Sequence, residues 1–314
     1  MANSTLSILL PVYNEARHIY RNVNVIKAVL DVNDLRHEFI IVDDGSTDKT
    51  WAEILRLAAG IPALRAIRFS RNFGKEAALC AGLDIADGEA VIVMDADLQH
   101  PPQIIPAMVE LWRNGAEVVD GVKEGRGKES FLNRVFARLF YRLLSTLSGI
   151  GLENASDFKL LDAKVVEAWR NLPERATFFR AMSHWVGFRR EQVLFQVAER
   201  GDGASRWSFL SLIKLAVTAI TSFSTIPLQI ITLLGLAFLV GSAILGAQTL
   251  YMKMSGAAVS GFTTVILLLL IIGSGLMIGL GIIGVYIARI FEEVKQRPRY
   301  IITEYFEKHA SSEA

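Results

Sequence analysis

The sequence predicts an α/β domain on a doubly wound parallel sheet, followed by a two-helix membrane anchor. Three observations carry that prediction. Strand-like and helix-like stretches alternate strictly over the first 125 residues, which implies parallel strands joined by crossover helices. Polar clusters close four of those strands, at the edge where open α/β sheets bind ligands. From 228 to 288 the sole formal charge is Lys253, although the 314-residue chain is 21% charged and 52% hydrophobic, with a mean hydropathy of +0.35. The near balance of 33 basic and 32 acidic residues argues against nucleic acid as a partner. Cys80 is the only cysteine, which excludes an internal disulfide framework and a Cys-rich zinc site and suits a reducing, cytoplasmic setting. No secretory signal is expected, because Met1 to Thr5 runs straight into the first strand-like segment.

The expected strands are SILLPVY (7–13), EFIIVDD (38–44), LRAIRFS (64–70), EAVIVMD (89–95) and AEVVDGV (116–122), each short and rich in β-branched residues. Helical spacing fills Ala16–Leu30, Asp48–Ala59, Gly74–Ala86 and Pro101–Arg113, with Ser46, Thr47 or Asp48 as the cap of the second. The clusters Tyr13-Asn14-Glu15, Asp43-Asp44-Gly45, Arg71-Asn72 and Asp95-Ala96-Asp97 then converge on one sheet edge. Beyond Gly125 the pattern gives helices at 131–148, 163–172 and 178–186 and a strand at 193–197, without fixing how they pack.

Residues 1–205 read as a cytoplasmic domain and 206–227 as an amphipathic juxtamembrane segment. In the latter Phe209, Leu212, Ile213, Ala216, Val217 and Ile220 recur at helical spacing, with Arg206 and Lys214 placed to meet lipid headgroups. A core helix of the soluble domain is the alternative. Two spans follow, 228–252 and 262–288, each longer than the ~20 residues needed to cross a bilayer core. Basic residues Arg289, Lys295, Arg297 and Arg299 in the 289–314 tail, against only Lys253 between the spans, put both termini in the cytoplasm of an inner-membrane protein. Gly273, Gly275, Gly279, Gly281 and Gly284 permit close helix packing, including a homo-oligomer, or simply follow membrane-helix composition.

Asp95-Ala96-Asp97 puts two carboxylates on the same side of an extended backbone. Such a pair can share a hard divalent cation, Mg²⁺ or Mn²⁺, whose open positions suit a nucleotide diphosphate. An Asp-x-Asp also occurs in solvated turns. Here it follows an apolar run and precedes Leu98-Gln99-His100-Pro101-Pro102, in a chain whose other strand ends are acidic. Arg126, Lys128, Arg134 and Arg138 offer cations for an acceptor phosphate, Arg134 and Arg138 sharing a helix face, with a solvated basic face as the alternative.

Pro11-Val12-Tyr13-Asn14-Glu15, Val42-Asp43-Asp44-Gly45-Ser46-Thr47-Asp48, Arg71-Asn72-Phe73-Gly74 and Asp95 to Pro102 together resemble the family 2 glycosyltransferases. With Ser156-Asp157-Phe158-Lys159, Arg200 to Arg206 and two C-terminal spans, the chain is similar to the polyisoprenyl-phosphate group, which includes dolichyl-phosphate mannose synthase and bacterial undecaprenyl-phosphate glucosyltransferases. The resemblance implies a Rossmann-like, GT-A-type nucleotide-sugar fold. It implies Pro11, Tyr13, Glu15, Asp43 and Asp44 near base and ribose, with Ser46, Asn72, Lys75 and Ala96 also at the nucleotide. Asp95, Asp97 and Gln99 would hold the metal, and Asp157 and Arg200 would join the two aspartates at the reacting centre. Arg200, Ser205 and Arg206 match a loop that closes over the diphosphate, and Lys123 stands where many relatives carry arginine. Ser205-Arg206-Trp207 replaces a frequent Ser-Lys-Tyr. Gly203 stands where processive polysaccharide synthases carry glutamine, and only two spans follow, which argues against polymer extrusion.

The expected activity is inverting transfer of a hexose, glucose from UDP-glucose, to undecaprenyl phosphate. Another donor sugar, such as GDP-mannose or a UDP-aminosugar, or a non-catalytic nucleotide-binding protein, are the alternatives. A phosphate monoester has its second pKa near 6, so the acceptor is largely a dianion at neutral pH. Asp157 is therefore expected to orient the acceptor or nearby cations more than to remove a proton.

Overall fold

The computed structural model describes residues 5–61, 63–123, 156–172, 179–195, 226–256 and 261–308. The chain divides into two compact units, one of residues 1–145, 150–206 and 297–314, the other of 146–149 and 207–296.

The first unit opens with the expected alternation: β1 (Leu6–Val12), α1 (Ile19–Val32), β2 (His37–Asp43), α2 (Thr50–Gly60), β3 (Leu64–Phe69), α3 (Lys75–Ile85), β4 (Ala90–Val93), α4 (Ile105–Arg113) and β5 (Val118–Lys123). Then come β6 (Lys159–Asp162), α5 (Ala163–Arg170), α6 (Phe179–Trp185), β7 (Arg190–Phe195) and, from the far end of the chain, β8 (Ile302–Lys308). The strands form one sheet in the order β7-β5-β6-β4-β1-β2-β3-β8. β3, β2, β1 and β4 are parallel, so the doubly wound expectation holds for that half.

An entirely parallel sheet is not what forms. β6 lies antiparallel between β4 and β5, and β8 adds antiparallel to the outer edge of β3. Neither strand was expected from the sequence. β6 is four residues long and opens with Lys159, a fully buried cation that interrupts the apolar signal of a central strand. β8 follows the membrane-type helices, where its pattern reads as a polar tail.

The core lies between the sheet and its helices. Ile8, Leu10, Ile41 and Ile92 share a fully buried cluster with Ile19, Val23, Ile26 and Ile54. Helix α3 approaches β1 closely at Gly82, where an added Cβ would sit 2.0 Å from Leu9 Cδ1.

Helix boundaries shift where local hydrogen bonds compete. Helix α1 starts at Ile19, not Ala16, because the Glu15 carbonyl accepts the His18 and Ile19 N–H groups in a turn. Helix α2 starts at Thr50 with Lys49 at its N-cap, so none of the three expected caps occupies that position. Asp48 still accepts the Thr50 N–H at 2.9 Å from one residue further out. The segment expected as one helix over 101–113 is a 3₁₀ turn at Pro102–Ile104 leading into α4. The strand expected at 193–197 starts earlier, at Arg190, and is described to Phe195, residues 196 and 197 lying outside the described residues. The helix expected at 131–148 and most of the 206–227 segment lie outside the described residues.

The second unit contains α7 (Ile226–Met254) and α8 (Phe262–Val294). Both are long and apolar enough to cross a membrane, the most apolar 18-residue stretch of each having a mean hydropathy of 2.3 in Ile226–Met254 and 2.5 in Leu268–Val294. Two of the five α8 glycines face α7. A Cβ at Gly275 would lie 3.0 Å from Phe238, and one at Gly279 would lie 3.3 Å from Ile231. At Gly273, Gly281 and Gly284 a Cβ would meet nothing within 4 Å among the described residues, so packing of α7 on α8 accounts for Gly275 and Gly279.

Candidate active site

The carboxyl ends of β1 and β2 are fastened by turn chemistry. Asn14 has a left-handed backbone (φ 55°), which asparagine tolerates better than most residues. Its N–H donates to Ser46 Oγ at 2.9 Å, and its side-chain carbonyl accepts the Thr47 N–H at 2.9 Å. Glu15 N–H donates to Thr50 Oγ1 at 2.8 Å, and Ala16 N–H to Asp48 at 3.2 Å. Gly45 adopts φ +68°, and a Cβ there would sit 2.3 Å from the Arg71 carbonyl carbon. Both its conformation and its closeness to the chain after β3 require glycine.

Asp43 and Asp44 face different tasks. Asp43 is fully buried; it accepts the Ser46 N–H at 2.9 Å and faces Arg68 Nε at 3.5 Å. Asp44 accepts the Phe73 N–H at 2.7 Å and the Gly74 N–H at 2.9 Å, fixing the loop between β3 and α3. Burial raises the pKa of both carboxyls despite these hydrogen bonds. Next to them in sequence, Gly45, Ser46 and Thr47 border a cleft of about 370 Å³ that Tyr13, Arg68, Arg71, Asn72 and Thr303 also line. Tyr13 is 44% exposed, so its ring is open to a ligand. Pro11 pairs with Val42 inside the sheet, and the Ala96 carbonyl accepts the Asn22 amide at 2.7 Å.

A second group of side chains gathers at the end of β4. Lys75 Nζ lies 2.5 Å from Asp95 and 2.8 Å from Asp157. Arg180 donates to both Asp157 oxygens, Nε at 2.7 Å and Nη2 at 2.8 Å, a bidentate clamp. Burial alone would raise the Asp157 pKa, but Arg180 and Lys75 outweigh it and hold the carboxyl well below the usual carboxylate range. Burial likewise works against the Lys75 ammonium, and Asp157 and Asp95 reverse it, raising the lysine above its ordinary value.

Asp97 is exposed and accepts the Gln99 N–H at 3.0 Å across Leu98, whose φ of 58° costs such a residue about 1–2 kcal/mol. Burial raises the Glu15 pKa first, and the charges of Asp97, Asp48 and Asp95 add to it. Asp95, bridged on one oxygen to Lys75, and the exposed Asp97 are the hard oxygen donors a divalent cation would use here. Among the described residues no cluster of three or more acidic, histidine or cysteine ligands forms, so substrate oxygens and water would complete such a site.

Other residues support this edge. His100 is buried against Phe158, ring centroids 5.0 Å apart, and burial, Lys123 and Lys75 lower its pKa. Lys123 ends β5 exposed. Glu76 in the first turn of α3 accepts the Phe179 N–H at 2.7 Å, which holds the start of α6 and hence Arg180; burial and Asp157 push its pKa up to about 7. Beneath lies a buried ionic layer in which Asp120 pairs with Lys159 and, at 2.8 Å, with Arg190. The two cations outweigh burial and keep Asp120 ionised below its ordinary pKa. Burial, Arg190 and Lys159 push the neighbouring His184 down to about 4.

Sequence reasoning missed Arg68, Glu76, Asp120, Arg180, Arg190 and Glu304. Each reads as an ordinary surface charge, and only the fold reveals its partner. Lys75, expected at the nucleotide, stands between Asp95 and Asp157. Arg126, Arg134, Arg138, Arg200, Ser205 and Arg206 lie outside the described residues.

The family described as "Glycosyl transferase family 2" matches residues 7–169. An uncharacterized glycosyltransferase of Synechocystis sp. is 37% identical over 304 residues, covering 95% of both chains. The bactoprenol glucosyl transferase of Shigella phage SfV is 38% identical, over 95% of this chain and 97% of that one. A prophage bactoprenol glucosyl transferase homolog of Escherichia coli (strain K12) is also 38% identical, over 95% and 98%. Among solved structures, glucosyl-3-phosphoglycerate synthase from Mycobacterium tuberculosis in complex with uridine-diphosphate is similar over 69% of this chain and 79% of that one, with a TM-score of 0.48 and 20% identity. The chain belongs to glycosyl transferase family 2 and is a glycosyltransferase.

Proposed function

We propose that the protein transfers a hexose, glucose from UDP-glucose, to undecaprenyl phosphate at the cytoplasmic face of the membrane, with inversion at the sugar carbon. One observation carries this reading: the similarity to bactoprenol glucosyl transferases runs over 95% of the chain, so the sugar-transfer domain and both apolar helices are shared together. The soluble donor and the lipid-bound acceptor meet only at the membrane surface. Holding the domain there lowers the entropic part of the barrier.

The cleft beside Tyr13, Ser46 and Arg68 would take the nucleoside, with the diphosphate toward Asp95 and Asp97. These two aspartates, with Gln99, would hold Mg²⁺ or Mn²⁺, which supplies charge stabilisation for the departing diphosphate. An acceptor phosphate oxygen attacks the sugar carbon as the bond to the diphosphate breaks. The acceptor needs no base at neutral pH, and the Asp157 carboxylate, already committed to Arg180 and Lys75, is poorly suited to take a proton. Its role in this reading is to fix the two cations beside the reacting phosphates. Arg126, Arg134 and Arg138 remain candidates for the acceptor phosphate, and Arg200, Ser205 and Arg206 for the diphosphate. Both termini face the cytoplasm, and a homo-oligomer through the spans is compatible with this arrangement.

The test is incubation of the purified protein with undecaprenyl phosphate, Mg²⁺ or Mn²⁺ and a panel of UDP- and GDP-sugars. Lipid-linked glucose from UDP-glucose is the expected product. Turnover with another donor alone would overturn the sugar assignment, and nucleotide binding without transfer to any polyprenyl phosphate would overturn the reaction.

A further inference from the structure

The strand that follows the membrane-type helices in sequence is bonded into the nucleotide cleft. The Ile301 carbonyl accepts the Ser70 N–H at 2.9 Å, and Tyr300 stacks on Phe69 with centroids 4.9 Å apart. Thr303 lines the cleft and donates its hydroxyl to the Arg68 carbonyl at 3.2 Å. Glu304 reaches further. One oxygen accepts from Arg68 Nη1 at 2.7 Å and the other from the Trp51 indole N–H at 2.7 Å. Arg68 in turn lines the cleft, donates Nη2 to the Ser46 carbonyl at 3.2 Å and turns Nε toward Asp43.

A guanidinium hydrogen-bonded by Glu304 and Ser46 and facing the buried Asp43 carboxylate has little rotamer freedom left to lose when a ligand arrives, and preorganisation of that kind raises affinity. Released from Glu304, the same long side chain would be free to swing into or away from the cleft it lines.

We propose that Glu304, contributed by the C-terminal strand, is a positioning residue for the donor nucleoside, acting through Arg68. The inference rests on the reading of this cleft as the nucleotide site. It makes the final strand part of the binding machinery, so a chain ending after α8 would carry an incomplete donor cleft.

The test uses the full-length protein in detergent and UDP itself as the probe, titrated by calorimetry. In Glu304→Ala and Glu304→Gln the Kd for UDP is expected to rise about tenfold, the effect of loosening one charge-assisted contact. The KM for UDP-glucose should rise by the same factor while that for undecaprenyl phosphate holds. The glutamine variant still accepts the Trp51 N–H and covers the case in which the alanine variant does not fold. Arg68→Ala should weaken UDP binding as well, and Glu304→Ala combined with Arg68→Ala should bind no more weakly than Arg68→Ala alone. Wild-type affinity in both Glu304 variants, or losses that multiply in the double variant, would overturn the inference. Failure of the wild-type protein to bind UDP, GDP or TDP would instead overturn the nucleotide-cleft reading beneath it.

Discussion

The two halves of the candidate site are held by different forces. At the ends of β1, β2 and β3 the framework is mainly backbone N–H groups donated to short side chains, Asn14 to Ser46, Thr47 to Asn14, Ser46 to Asp43, Phe73 and Gly74 to Asp44, with Arg68 and its carboxylates Glu304 and Asp43 added at the rim. Around β5, β6, β7 and α6 it is charge against charge, Asp157 between Lys75 and Arg180, and Asp120 between Lys159 and Arg190. Turn residues act locally and can be recognised by type, since Asn, Asp, Ser and Gly near a strand end have few other uses. An ionic layer has no local signature, because a lysine that ends in the core looks like one that ends in water until the strands are placed.

That difference governs how much of the molecule is legible in its sequence. The strands from β1 to β5 fall within two residues of their expected ends, because apolar runs bounded by turn residues mark them without help from tertiary contacts. Asp43, Asp44, Asp95 and Asp97 were found by the same logic, as acidic residues closing such runs. Arg180 could not be found that way. It sits in a helix 23 residues beyond Asp157 in a stretch with no distinguishing pattern. Glu304 pairs with Trp51 across 253 residues, a separation no periodicity can bridge. Lys159 was noticed only within the resembling segment Ser156-Asp157-Phe158-Lys159, and its full burial against Asp120 emerges only once β6 is seen to insert between β4 and β5.

If the halves are independent, damage to one should spare the other, and the largest effect should fall on the ionic layer. Lys159→Met leaves Asp120 buried with one cation fewer, and breaking a buried pair from one side costs about 3–5 kcal/mol. A large drop in apparent melting temperature is expected, with UDP affinity of the surviving folded protein unchanged. A melt within a degree of wild type would mean that Arg190 alone neutralises Asp120. A loss of UDP affinity in folded protein would mean that the halves are coupled.

A smaller effect on the fold and a sharper one on turnover is expected from Asp157→Asn. The carboxyl is ionised across the working range, its pKa being held down by Arg180 and Lys75. The variant should therefore lose about 10²-fold in kcat, the scale of a misplaced reacting group, at every pH tested and with UDP affinity intact. Recovery of full activity near pH 8 would identify proton abstraction as the missing function and refute the positioning role.

The smallest effect is a pH dependence of stability at the ion-paired half. Glu76 links α3 to the first backbone N–H of α6, and its carboxyl is pushed up to about 7, chiefly by burial and then by Asp157. Between its unfolded value near 4.5 and that raised value the folded protein binds more protons than the unfolded chain, so stability falls as pH rises through this window and levels off above it. Glu76→Gln keeps an acceptor for the Phe179 N–H and has nothing to titrate, so its melting temperature should gain on that of the wild type from pH 5 to pH 8. A gain of about 2–4 °C corresponds to roughly 1 kcal/mol in a domain of this size. The position of Glu76 in the first turn of α3 opposes this, because a helix N-terminus favours the ionised form. A difference between variant and wild type that stays constant with pH would show that the helix terminus prevails and that the carboxylate is ionised throughout.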